Sequence, residues 1–186
     1  MKQIKSERLS MRLLKMRDWR RLAALDADFS ASPYAAYDLP WPKDRRGIKR
    51  LTRGFVRTRL FYAVLLGRRM IGYICFCEEE DGAYDVSYLI HSAQQRQGYA
   101  TESVGTMLRY VAQNKPATRF TAMTAAENLP SVKVLEHFGF TERERISLPL
   151  RCDENGKPLS VETIVFELSV TKFLEKSTDY EADTTV

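Results

Sequence analysis

The sequence predicts a mixed α/β domain in which helices flank a mostly antiparallel central sheet. Three observations lead there. Residues 61–66, 70–77 and 84–90 are strand-like runs separated only by the turns 67–69 and 78–82, and connections this short join antiparallel neighbours. The third run leads through a glycine-bearing loop into a helical pattern, with Val104, Met107, Leu108 and Val111 at helix spacing. Strand and helix patterns then alternate as far as residue 169. A length of 186 residues suits one domain with its own core. Residues 1–174 are assigned to that domain, and 175–186 to a short, acidic, frayed tail.

Taken in order, residues 4–14 alternate well enough for a first strand. Asp18 is placed as the N-cap of a helix running to Asp26, with Trp19, Leu22 and Ala23 on its inward stripe. Residues 27–42 read as a loop, because Pro33, Pro40 and Pro42 interrupt any regular pattern. Asp44 caps a second helix to about Arg59, whose apolar side is Ile48, Leu51 and Phe55. After the hairpin series come a helix at 99–114, a strand at 118–124, a helix at 128–138, and strands near 140–148 and 161–169. Asn155-Gly156 supplies the turn between the last two strands.

Composition excludes several classes. Apolar content of 44% and charged content of 28% are those of a globular chain, so disorder is not the default. The first fifteen residues lack the apolar segment of a signal peptide, and no apolar run is long enough to cross a bilayer. A cytoplasmic protein is expected. Cys75 and Cys77 share one face of a strand and Cys152 is remote, so no disulfide framework is predicted. His91 and His137 lack metal-ligand spacing and are assigned structural or surface roles, with no metal site.

The segment most suggestive of chemistry is Gln95-Arg96-Gln97-Gly98-Tyr99-Ala100-Thr101-Glu102, which reads Q-x-x-G-x-A between a strand and a helix. Such a loop can hold a pyrophosphate. The first N–H groups of a helix have no intrahelical partner and lie at the positive end of its dipole. Glycine lets the backbone approach an anion without a Cβ in the way. The order matches neither G-x-G-x-x-G nor G-x-x-x-x-G-K-[ST], so a dinucleotide or ATP site has little support.

A second segment, Asn128-Leu129-Pro130-Ser131 leading to Phe138-Gly139-Phe140, follows a short strand. The two segments together resemble the GNAT N-acetyltransferases, which bind acetyl-CoA. The nearer likeness is to the branch that acetylates the N-terminal amine of ribosomal proteins. It rests on the opening Ser6-Glu7-Arg8-Leu9-Ser10-Met11-Arg12, the G-Y-A-T-E loop, the N-x-x-S turn and the helix ending F-G-F. The resemblance covers roughly residues 5–170.

It implies a set of roles. The backbone of Gln97, Gly98, Tyr99, Ala100 and Thr101 would face the CoA pyrophosphate, with Arg96 adding charge. Leu89 and Ile90 would offer backbone groups to pantetheine. Asn128 would lie against pantetheine and Lys133 near the ribose phosphate, although Asn128 can also serve as a helix N-cap. Asp85 stands where the family carries a glutamate thought to deprotonate the amine through water. It is one methylene shorter, and Ser87 replaces the glycine of the pattern. A solvated edge position is the alternative for Asp85. Ser131 corresponds to the family's proposed donor to the departing thiolate, with Tyr88 and Tyr99 as alternatives, each also readable as core.

Energetics bear on the acceptor. Neutralising a lysine-like amine of pKa 10.4 at pH 7 costs roughly 4–5 kcal/mol, whereas an α-amine costs only about 1–1.4 kcal/mol. A site whose acid–base groups are one Asp and one Ser suits the easier task. That favours a protein N-terminal α-amine over a polyamine, amino sugar or amino acid, and the aromatic stretch Tyr34, Tyr37 and Trp41 could wall the acceptor. Lys43, Arg45, Arg46, Lys49, Arg50, Arg53, Arg57, Arg59, Arg68 and Arg69 stand against the single acid Asp44. This basic helix at 44–59 raises a rival class, a ribosome-associated binding module, but no aromatic RNA-binding pattern or zinc spacing accompanies it. Monomer and homodimer both remain open.

Overall fold

A computed structural model describes residues 3–152 and 158–182. Eight strands form one sheet in the order β1-β2-β3-β4-β5-β6-β8-β7. They are β1 (Ile4–Lys5), β2 (Leu9–Leu13), β3 (Phe61–Leu66), β4 (Arg69–Glu78), β5 (Ala83–Ile90), β6 (Arg119–Ala125), β7 (Thr141–Cys152) and β8 (Pro158–Ser169). The β5–β6 pair is parallel and the other described pairs are antiparallel, so the predicted mixed, mostly antiparallel architecture is what the chain adopts. The helices are α1 (Trp19–Ser30), α2 (Arg45–Thr58), α3 (Tyr99–Asn114), α4 (Leu129–His137) and α5 (Val170–Ala182). None of the described helices is long and apolar enough to cross a membrane.

The sheet is covered on both faces. Val104, Met107, Leu108 and Val111 of α3 pack with Leu135 of α4 and Phe173 of α5 against Tyr62, Val64, Ile74 and Val86. On the other face Leu22 and Leu25 of α1 meet Phe61, Ala63 and Leu65, with Phe55 and Val56 of α2 beside them. Strand β3 therefore reads Phe-Tyr-Ala-Val-Leu-Leu without a polar residue, because each of its two side-chain rows is buried.

Several sequence expectations are corrected. Residues 4–14 are not one strand but a hairpin, with Ile4 opposite Met11. The Ser6 hydroxyl accepts the Leu9 N–H and turns the chain, and Arg8 and Ser6 are drawn away to α3. Asp18 stands at the N-cap of α1 as placed, but its side chain makes no capping hydrogen bond. It is buried and forked by Arg12 at 2.7 and 2.9 Å, and it accepts the Lys15 N–H. The stripe that α1 buries is Leu22, Leu25 and Asp26, while Trp19 is only half-buried, beneath Arg20, Lys49 and Arg45. Helix α1 also runs to Ser30, and a 3-10 turn, Pro33–Tyr37, occupies the predicted loop.

Asp44 does cap α2, accepting the N–H groups of Arg46 and Gly47 at 2.9 Å each. The buried row of α2 is Ile48 and Thr52, the threonine hydroxyl being satisfied by the Ile48 carbonyl, so Leu51 is only half-buried. The last two strands extend further toward one another than predicted, and the Asn155-Gly156 turn lies outside the described residues. The expected frayed tail begins as helix, α5 continuing to Ala182; residues 183–186 lie outside the described residues.

Candidate active site

The candidate site opens where two strands part. β5 and β6 pair only through Ala83–Arg119, Tyr84–Phe120 and Asp85–Thr121. Beyond that point β5 stays with β4 as far as Ile90, and β6 stays with β8 as far as Ala125. The strands diverge into a wedge whose inner backbone edges have no sheet partner across the gap, a place where an extended, amide-bearing chain can add hydrogen bonds. A cavity of about 290 Å³ fills this end of the sheet. Its walls include Asp85, Ser87, Tyr88 and Leu89 on one side, Met123, Asn128 and Ser131 on another, and Tyr34, Tyr37, Trp41 and Tyr73 at the far end.

At the apex of the wedge, Asp85 is half-buried. Burial first, then the neighbouring Glu79 carboxylate, push its carboxyl up to about 6, against hydrogen bonds from Thr121 and Ser87 that favour ionisation. The Thr121 hydroxyl stands 3.5 Å from Asp85 Oδ1 and 3.3 Å from Glu79 Oε2. Its one proton cannot serve both carboxylates at once. Asp85 is thus partly shielded from solvent where β5 leaves β6, and it faces the cavity. Glu79 and Thr121 were not foreseen as neighbours, because only the β4–β5 and β5–β6 registers bring them to Asp85.

Ser131 lies in the first turn of α4, and Asn128 is its N-cap, facing the Ser131 N–H at 3.5 Å. Tyr88 donates from its hydroxyl to the Ser131 carbonyl at 3.3 Å. Burial pushes the Tyr88 phenol up to about 12, so it stays a proton donor through neutral pH. Asp85 and Ser131 thus line one cavity, with Tyr88 beside the serine, while Lys133 is exposed further along α4.

The loop before α3 has the form expected of an anion cradle. Arg96 and Gly98 both adopt left-handed backbone, with φ of 62° and 79°. Gly98 is the N-cap of α3, and no side chain caps that end among the described residues. The N–H groups of Tyr99, Ala100 and Thr101 therefore have no intrahelical acceptor. The Ile90 carbonyl accepts Gln95 Nε2 at 2.8 Å, which ties the start of the loop to the end of β5.

One residue of this loop's support was missed. The Arg8 guanidinium donates to Glu102 Oε2 at 2.7 Å and to the Gln97 carbonyl at 3.0 Å, and lies 4.7 Å from the Tyr99 ring centre. Glu102 also accepts the Ser6 hydroxyl and the Arg8 N–H, at 2.7 and 2.8 Å. Arg8 thus offsets a carboxylate that would repel an anion at the helix N-terminus, and braces the loop from the far edge of the sheet. The only sequence signal was the basic residue in the opening motif.

At the other end of the cavity, Trp41 stacks on Tyr73 at 5.8 Å, and the Tyr37 hydroxyl donates to Glu127. His91 is a turn residue: its Nδ1 accepts the Ala93 N–H and lies 3.6 Å from Asp28. Among the described residues no group of three His, Cys, Asp or Glu side chains could hold a metal ion.

Comparison with known proteins now bears on this geometry. A search of curated proteins found no match. Solved structures share the fold. A spermidine N-acetyltransferase from Vibrio cholerae, in complex with CoA and spermine, superposes with a TM-score of 0.77 at 16% identity, over 91% of this chain and 99% of that one. A ribosomal-protein-S5-alanine acetyltransferase from Vibrio fischeri gives 0.76 at 17% identity, over 91% and 97%. An acetyl transferase from Salmonella typhimurium that modifies the N-terminal serine of ribosomal protein L7/L12 gives 0.74 at 17%, over 90% and 99%. Identities this low speak for the fold and leave the acceptor open. The family described as acetyltransferase (GNAT) domain matches residues 8–141, most of the chain and all of the wedge, the loop and α4, and the protein belongs to that family.

Proposed function

We propose that this protein transfers the acetyl group of acetyl-CoA to a protein N-terminal α-amine, as the ribosomal-protein acetyltransferases among its structural neighbours do. The observation that carries the reading is the wedge between β5 and β6, with an uncapped helix N-terminus at one end and a single perturbed carboxyl at its apex. Acetyl-CoA supplies the thioester. The Gln97–Thr101 backbone, with Arg96 nearby, would hold its pyrophosphate, and Lys133 its ribose phosphate. The Leu89 edge and Asn128 would meet pantetheine.

Asp85 would take a proton from the acceptor ammonium through water, freeing the lone pair that attacks the thioester carbonyl. Ser131, with Tyr88 next to it, would stabilise charge developing on the departing thiolate. The acceptors differ by an amount that their own ammonium groups set, whatever the base, and Asp85 at about 6 fixes the cost of each. Moving a proton from an α-ammonium to such a carboxyl is uphill by about 2.5 kcal/mol, and from a lysine-like ammonium by about 6 kcal/mol. The aromatic wall of Tyr34, Tyr37 and Trp41 would receive the amine's own chain.

The reading extends to a ribosomal protein N-terminus as acceptor, a cytoplasmic setting, and contact with the ribosome through the basic helix α2. Thiol release from acetyl-CoA, measured over N-terminal peptides, polyamines and amino sugars, tests it. Peptides with a free α-amine should turn over and their N-acetylated forms should not. Turnover confined to polyamines or amino sugars would replace the acceptor class.

A further inference from the structure

Helix α2 carries Arg45, Arg46, Lys49, Arg50, Arg53 and Arg57 and no acidic residue. Asp44, the one nearby acid, is committed to capping. None of these six cations forms a salt bridge among the described residues, in contrast to Lys43, which pairs with Asp26 at 2.6 Å. Along this helix runs a shallow groove of about 390 Å³, lined by Pro42, Gly47, Arg50, Leu51, Gly54 and Phe55.

Its two glycines have different reasons to be there. At Gly47 a Cβ would lie 2.5 Å from Pro42 Cβ, so close packing of the loop on the helix requires glycine. At Gly54 a Cβ would meet nothing within 4 Å and the backbone is ordinary helix. A glycine inside a helix costs roughly 1 kcal/mol relative to alanine, and here no packing inside the chain repays it. What glycine does at this position is keep the groove open over Leu51 and Phe55.

We infer that this groove is a docking site for an acidic polypeptide segment bearing apolar side chains, namely part of the protein whose N-terminus is acetylated; the inference rests on the acceptor reading above. Charge complementarity specifies the acid, since Arg50, Arg53 and Arg57 stand at i, i+3 and i+7 along the helix. The apolar floor specifies side chains rather than a phosphate backbone. Nor is a free aromatic face offered to a nucleobase, because Phe55 is packed between Phe61 at 4.2 Å and Trp41 at 5.4 Å. Trp41 in turn stacks on Tyr73, and both line the cavity that holds Asp85. Groove and cavity thus back onto one aromatic layer, so a segment seated in the groove places its chain close to the acceptor end of the cavity.

The test uses a serine-initiated tripeptide and an extended peptide with the same start, a flexible spacer, and a segment of Glu with Leu at helical spacing. A third peptide replaces Glu by Gln. Turnover is followed by thiol release, and binding by fluorescence anisotropy of the labelled, N-acetylated extended peptide. The extended acidic peptide should show a KM at least tenfold below that of the tripeptide, and the Gln version should lose most of that advantage. Gly54→Gln, which fills the groove without changing charge, should raise the KM for the extended peptide and weaken its binding at least tenfold. It should leave kcat, the tripeptide KM and CoA affinity unchanged. The triple change Arg50→Glu, Arg53→Glu, Arg57→Glu should act the same way. Equal KM values for all three peptides, or an extended peptide indifferent to Gly54→Gln, would overturn the inference. So would displacement of the bound peptide by polyuridylate together with indifference to Gly54→Gln, which would mark an RNA surface. Groove-dependent binding without turnover of any peptide would refute the acceptor reading and sustain the docking site.

Discussion

Replacing Asp85 by asparagine should make the protein more stable and less active at the same pH. Burial, with Glu79 adding to it, lifts this carboxyl to about 6 from an ordinary value of 3.8. A value higher in the folded state than in the unfolded chain means that ionisation opposes folding. The penalty is absent below about 3.8, grows between the two values, and is complete above about 6. A shift of two units at 1.36 kcal/mol each sets an upper bound of about 3 kcal/mol. Water reaching a half-buried side chain at a cavity wall reduces the expectation to about 1–3 kcal/mol. Asparagine is nearly isosteric, keeps an oxygen within reach of Thr121 and carries no charge. Urea denaturation at pH 7.5 should therefore show Asp85→Asn more stable by that amount, with an unchanged m-value, and the gain should vanish near pH 4. In thermal scans each kcal/mol corresponds to roughly 2–4 °C. The wild-type kcat/KM should rise with pH through a limb near 6, as the base becomes ionised. The variant should lack that limb and recover activity only as the α-amine deprotonates toward pH 8. A stability gain equal at pH 4 and 7.5 would refute the burial argument, and a surviving limb near 6 would assign the base to another group.

Two further expectations concern the frame of the site. Gly98→Val forces a β-branched side chain into left-handed backbone and toward Arg8 Nη2, 3.2 Å from the new Cβ; CoA affinity by calorimetry should fall at least tenfold, about 1.4 kcal/mol. Arg8→Ala should weaken CoA comparably by releasing Glu102 and the Gln97 carbonyl, with Arg8→Lys only partly restoring it, and unchanged affinity in both would remove Arg8 from the loop's support. Asp18 behaves oppositely to Asp85. Burial alone would raise its carboxyl, yet Arg12 and the Lys15 N–H hold it below its ordinary value, so its contribution is present at neutral pH and lost in acid below about pH 4. Asp18→Ala should cost about 3–5 kcal/mol at pH 7 in denaturant unfolding, narrowing in acid; a small, pH-independent loss would contradict the pairing.

Much of the fold was written locally. The hairpin series, helix α3 and the Asp44 cap are each specified by side chains within a few residues, through periodicity, turn chemistry and an acceptor at the right spacing, and these formed nearly where the sequence placed them. The turn of the Q-x-x-G-x-A loop into α3 was legible for the same reason, since a left-handed glycine at a helix start is a local property of the backbone. Where several roles were open to one residue, distant partners decided. Asp18 had the right type and position for a cap, but the Arg12 side chain offered a charged fork that a backbone N–H cannot match. Residues 4–14 had the alternation of one strand, but Glu102, at the start of α3, gathers in Ser6 and Arg8 and bends it into two. Asp85 is an acid in a strand until the registers with β4 and β6 set Glu79 and Thr121 beside it at the point where the sheet splits. Local free energies are written in neighbouring residues. The desolvation of a carboxyl, and the face a helix presents, depend on which parts of the chain come to lie against it, and only the tertiary structure determines that.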